Sequence, residues 1–226
     1  SIHGPTDLKK EYCYDAKKFS ADIFSSICRE KYFSDEQIFN HYKEMNDCNM
    51  PILVHVMPFL SGYDVKNMNW PDTIFKRLTG LKNIIAIKED TKELNYSISL
   101  LEKYQPRFRF IFAGRKKYFL KLFKYGLKAY LNSSSLIDPR IDEIFLSLCK
   151  KNLVEAKNFV TEIDDPFWDT IVNQYGWHRV NKACLEHIGM MKRIERHPMV
   201  SLNNKNYKDI QNWVKSTLKK IKKWQQ

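Results

Sequence analysis

The sequence predicts an α/β protein, a parallel sheet clothed by helices and followed by a purely helical C-terminal part. Three observations predict it. Short apolar runs alternate with longer amphipathic ones at intervals of about 25 residues. Crossovers that short, each holding a helix, give parallel neighbouring strands. Beyond residue 151 the apolar spacing turns helical throughout.

Residues 21–27 (ADIFSSI) read as the first strand. Residues 34–45 follow as a helix, with Ser34 as N-cap and Gln37 at capping-box spacing. Residues 51–58 (PILVHVMP) form the second strand, and 71–78 its helix, with Pro71 suited to the first turn. Residues 83–88 (NIIAIK) form the third strand; the unbroken apolar run Ile84 to Ile87 predicts cover on both faces. Residues 92–104 are the next helix. Residues 108–114 (FRFIFAG) are the fourth strand, and 116–126 a helix closed by Gly126. Residues 128–133 are the fifth strand and 138–151 its helix. Residues 153–163, 166–191 and 206–224 are helical, and Trp213, Leu218, Ile221 and Trp224 recur along the last of these. The division is therefore an α/β part over 1–151 and a helical extension over 152–226. Two windings fit the first part: a doubly wound open sheet or a (β/α)8 barrel.

The composition permits a sizeable core, with 43% hydrophobic and 28% charged residues in 226. No apolar run approaches the roughly 20 residues of a membrane span, and residues 1–15 lack the pattern of a signal peptide. Five widely spaced cysteines without a CxxC read as separate thiols in a reducing, cytoplasmic setting. Neither a disulfide framework nor a zinc site is expected. The net charge of +12 reads as solvated lysine-rich faces, because the basic clusters lack interleaved glycine and aromatics; a binder of nucleic acid or of an anionic surface is the weaker alternative. No nucleic-acid or membrane partner is expected. Neither GxGxxG nor GxxxxGKS/T occurs, which argues against dinucleotide and nucleoside triphosphate enzymes.

In parallel α/β proteins the reactive groups sit at the C-terminal ends of strands. Those ends hold His55, Lys88, Gly114 with Arg115, and Asn132 with Ser133. Lys88 is the one with distinctive chemistry. A lysine between apolar walls loses hydration, its pKa falls, and the free amine attacks carbonyls to form a Schiff base. The plainer alternative is a lysine that reaches solvent or pairs with Glu89 or Asp90.

The segments PILVHVMPFLSGYD, LKNIIAIKEDT, FRFIFAGRKKYFLKLFKYGLKAYLNSSS and RIERHPMVSL resemble the dihydrodipicolinate synthase/N-acetylneuraminate lyase family. The resemblance implies a (β/α)8 TIM barrel with a helical extension, and Schiff-base aldolase chemistry on pyruvate or a related 2-oxo acid. It places Lys88 at the imine-forming lysine, with no metal or other cofactor. His55 stands where the family has a proton-relaying tyrosine in a Tyr-x-x-Pro-x-x-Thr/Ser-Gly pattern, and Ser61 and Gly62 match that pattern's end. Leu60 stands where dihydrodipicolinate synthase proper has an arginine, which argues against lysine biosynthesis. Gly114 keeps a family turn, Arg115 offers a cation to a carboxylate, and Tyr130 matches a position contacting the 2-oxo acid. Asn132, at a strand end, joins the substrate-binding set. An aldehyde or sugar acid is the implied second substrate, and a homodimer or homotetramer the implied assembly.

By the same resemblance, SIHG matches the end of a third strand and DLKKEYCYDAKKF the helix after it. About three strands, roughly 75 residues of a barrel of about 250, are then expected to be missing. So is the Gly-Thr-Thr-Gly-Glu-like loop that binds the 2-oxo acid carboxylate in relatives. The alternative expectation is a non-catalytic member acting as a ligand-binding or assembly module.

Overall fold

The computed structural model describes residues 4–30, 32–57, 69–91 and 93–225. They form two compact units, one of Ser1–Gly114 with Leu122–Leu131, the other of Arg115–Lys121 with Asn132–Gln226. These boundaries differ from a cut at residue 151. Lys116, ahead of the fifth strand, and Ser134, after it, both bond to the helical part: Asp164 Oδ2 accepts from Lys116 N at 2.9 Å, and Asp164 Oδ1 accepts from Ser134 Oγ at 2.7 Å.

The first unit holds helices α1 (Thr6–Lys18), α2 (Asp35–Asn46), α3 (Asp72–Leu78) and α4 (Leu94–Tyr104). Its strands are β1 (Phe24–Ser26), β2 (Ile52–Val56), β3 (Ile84–Glu89), β4 (Arg109–Ala113) and β5 (Ala129–Leu131). Ser34 caps α2 as its sequence predicts, accepting from Gln37 N at 3.2 Å. Gln37 Oε1 reaches one residue further back than a capping box requires, to Phe33 N at 2.8 Å.

The strands are all parallel and lie in the order β1-β2-β3-β4-β5. That order decides the winding. Right-handed crossovers that always step the same way leave every helix on one face, as in a barrel, whereas a doubly wound sheet must reverse direction. Ser26 Oγ lies 2.9 Å from His41 Nε2 on α2, and Ser97 on α4 donates to Glu89 Oε2 at 2.7 Å. Phe24, Ser26, Val54, Val56, Ile87, Glu89, Phe110 and Phe112 therefore face the helices.

On that side an aromatic chain ties the helices together. Ring centroids of Tyr42 and Trp70 are 5.9 Å apart, Trp70 and Phe75 6.0 Å, Phe75 and Tyr104 5.8 Å. All four rings are buried. Each contributes its burial plus about 0.5–1.5 kcal/mol per aromatic pair. Arg107 fastens the segment that leads into β3: its guanidinium donates to the carbonyls of Thr79 (3.1 Å), Leu81 (2.8 Å) and Ile84 (2.9 Å).

The second unit contains the start of α5 (Lys116–Phe123), then α6 (Arg140–Lys151), α7 (Leu153–Phe159), α8 (Asn173–Tyr175), α9 (Trp177–His187) and α10 (Asn204–Trp224). Between α7 and α8 the helix widens into π turns at Val160–Asp164 and Phe167–Val172. Pro166 lies between them and has no N–H to give the ordinary α-helical bond, which accounts for the change of register there. Lys116, 0% exposed, is held by Asp142 Oδ1 at 2.8 Å and Asp164 Oδ1 at 3.9 Å. The expected C-terminal run of helices is present.

Candidate active site

The key local feature is a bulge. Ile52 pairs with Ile84, but Leu53 pairs with Ala86, so Ile85 is an extra residue in β3. Ile85 is 39% exposed, which corrects the expectation that the whole apolar run is covered on both faces. Without the extra residue Leu53 would face Ile85, and Lys88 would face Val56 on the helix side. A one-residue slip turns every side chain over. With it, Lys88 pairs with His55 on the opposite face of the sheet.

Lys88 is half-buried there and His55 is buried. Two residues on, Asp90 is 6% exposed, and its Oδ2 stands 3.7 Å from His55 Nε2. Burial pushes the His55 pKa below its ordinary value, and the Lys88 cation acts the same way; Asp90 works against both. His55 is therefore a neutral imidazole at neutral pH, able to accept a proton. Glu89 points the other way. It accepts from Ser97 and Thr91 on the helix side, and burial raises its pKa. Glu89 is thus not the partner of Lys88.

Gly114 follows β4, the neighbour of β3, and so lies along the same C-terminal edge. Its φ of +155° and its N–H bond to Leu131 O (3.2 Å) hold the chain where β4 ends. The structure does not bring Tyr130 to this group. Tyr130 pairs with Phe112, on the helix-facing side of the sheet. Arg115 has its own carboxylates: it forks onto Asp169 at 2.5 and 2.7 Å and reaches Asp165 at 2.7 Å, all within the second unit. Asn132 accepts from Ser134 N at 2.7 Å, closing the turn before Ser134–Ile137. Ser61, Gly62 and Leu60 lie outside the described residues.

Asp90 is the member of the site that reading by residue type passes over. The signal was present. In a strand, side chains alternate, so Lys-Glu-Asp at its end places the first and third residues together and the second apart.

One other cluster is notable. Donor atoms of Cys28, Glu30 and His41 lie within 4.8 Å of one another, a grouping that cysteine and histidine spacing did not predict. It is already satisfied as a hydrogen-bonded network. Thr6 Oγ1 and Ser26 Oγ sit 2.9 Å from the two His41 nitrogens, and Lys9 Nζ lies 3.4 Å from Glu30 and 2.8 Å from Ile27 O. The buried ammonium supplies the positive charge a metal would bring.

A singly wound parallel sheet, with an amine and an imidazole at adjacent strand ends and a helical extension, defines the (β/α)-barrel class of fold. The chain belongs to the dihydrodipicolinate synthetase family, whose model matches residues 31–217. It is 23% identical over 189 residues to 4-hydroxy-tetrahydrodipicolinate synthase of Campylobacter hominis, covering 80% of this chain and 59% of that one. The chain thus spans less than two thirds of that relative. Among solved structures it is similar to N-acetylneuraminate lyase from Mycoplasma synoviae (TM-score 0.75, 19% identity, 94% of this chain and 69% of that one). It is similar too to the Escherichia coli K12 prophage protein YagE of the dihydrodipicolinic acid synthase family, solved with pyruvate (TM-score 0.78, 14% identity, 94% and 72%). At these identities the solved structures speak for the fold, and the family match places the chain among dihydrodipicolinate synthase/N-acetylneuraminate lyase-type proteins. No helix among the described residues is long and apolar enough to cross a membrane.

Proposed function

We propose that the protein is a Schiff-base lyase acting on pyruvate or a related 2-oxo acid. The observation that carries this reading is the bulge that sets Lys88 opposite His55 at the C-terminal edge of the sheet. The free amine of Lys88 adds to the C2 carbonyl, water leaves, and a protonated imine remains. The imine draws electrons from C3, whose proton passes to His55. The resulting enamine attacks an aldehyde, and the proton returns to the new alkoxide; cleavage runs the same steps backwards. Water then releases the product from Lys88. Pyruvate bound to the structurally similar YagE supports the substrate class. A 2-oxo acid's carboxylate needs a partner other than Arg115, which is taken up by Asp165 and Asp169. Homo-oligomeric assembly and a cytoplasmic location are part of the same proposal.

The test is exchange of the pyruvate methyl protons with deuterated water, followed by NMR. The wild-type protein exchanges them and Lys88→Met does not; equal exchange by both proteins refutes the proposal. The second reading is an assembly or ligand-binding module. It is favoured by the sheet face that carries Lys88, where Leu131 is 52% exposed. Saturable pyruvate binding without methyl exchange would select it.

A further inference from the structure

Asp90 has no role in the steps above, yet it is almost fully buried beside them. Burying a carboxylate is costly unless an opposite charge or hydrogen bonds answer it. Its backbone N–H donates to Val56 O at 3.1 Å, which fixes Asp90 against the end of β2. Its Oδ2 is then 3.7 Å from His55 Nε2, with the two side chains 9% and 7% exposed. That separation exceeds a hydrogen bond but lies well inside the range of charge attraction, which strengthens away from water. Lys88, opposite it on β3, and Asp90 are charged groups that act on His55.

We propose that Asp90 is a positioning residue for His55. It holds Nε2 beside the carboxylate and stabilises the imidazolium formed when His55 takes a proton. The use made of that proton rests on the lyase reading; the pairing itself does not. One proton moves from C3 of the lysine-bound 2-oxo acid to His55 and later to the product alkoxide. Burial, with Lys88, disfavours the charged imidazole, and Asp90 works the other way by stabilising it when it forms.

The experiment is an NMR titration of the His55 ring, assigned by its loss in His55→Gln, in wild type, Asp90→Asn and Asp90→Glu. Removing the anion leaves burial and Lys88 unopposed, so Asp90→Asn moves the His55 titration to lower pH. Asp90→Glu restores the charge and moves it back. If Asp90→Asn does not fold, Asp90→Ser makes the same test: a His55 titration at lower pH than wild type supports the pairing, and a curve coincident with wild type overturns it. Coincident curves for wild type and Asp90→Asn also overturn it. In Asp90→Asn, methyl exchange falls about 10²-fold, while borohydride trapping of pyruvate on Lys88 persists. Unchanged exchange with trapping retained overturns the positioning role. Absence of trapping in wild type, with the His55 shift still present, removes the lyase reading and leaves the pair standing.

Discussion

Acid should destabilise this protein through one buried imidazole, His41. Its ring is 3% exposed and lies between the hydroxyls of Thr6 and Ser26. Burial, with help from the Lys9 cation and against Glu30, holds its pKa down to about 4. An unfolded histidine titrates near 6.5. Between those values the unfolded chain takes up a proton that the folded one refuses, so stability falls as pH falls through that window. Fully developed, about 2.5 pH units at about 1.4 kcal/mol each give about 3.5 kcal/mol; at pH 5 the loss is about 2 kcal/mol. That is a large share of a typical stability of about 5–15 kcal/mol. The assay is urea unfolding of wild type and His41→Gln at pH 7 and pH 5. Groups that titrate in both proteins cancel in the comparison. Wild type should lose about 2 kcal/mol more than the variant over that interval. Equal losses would refute the argument.

Other expectations follow from the same structure. Arg107→Lys should cost about 1.5–3 kcal/mol in urea unfolding, because one ammonium cannot serve three diverging carbonyls as a guanidinium does; a cost below about 0.5 kcal/mol would contradict it. Lys116→Met should destabilise by about 3–5 kcal/mol by leaving Asp164 buried without its cation. Adding Asp164→Asn should recover part of that loss, and strict additivity of the two changes would contradict the network. Deleting Ile85 should return β3 to regular register and turn Lys88 to the helix side, so methyl exchange disappears while far-UV circular dichroism stays close to wild type.

Much of the fold was legible in the sequence because its signals are local. Ser34 with Gln37 announces a helix start, and the apolar runs announce strands whatever lies around them. The (β/α) winding was not local: it needed strand order, which periodicity leaves open between two architectures. The site divides the same way. Lys88 and His55 stand out as polar residues at the ends of apolar strands. Their meeting depends on the bulge at Ile85, and a bulge is a property of two strands read together. Tyr130 shows the converse. A three-residue strand carries too little alternation to fix its facing, and pairing with Phe112 decides it. The partners of Arg115 lie 50 and 54 residues away, so no spacing rule reaches them. Asp90 was within reach of the simple alternation of side chains along a strand.

Reductive trapping reports on the Lys88 amine itself. The protein is incubated with pyruvate, reduced with borohydride, digested and mapped by mass spectrometry. A stable pyruvate adduct is expected on the peptide carrying Lys88, absent without pyruvate and absent in Lys88→Met. No adduct on that peptide, or an adduct that survives in Lys88→Met, would contradict it.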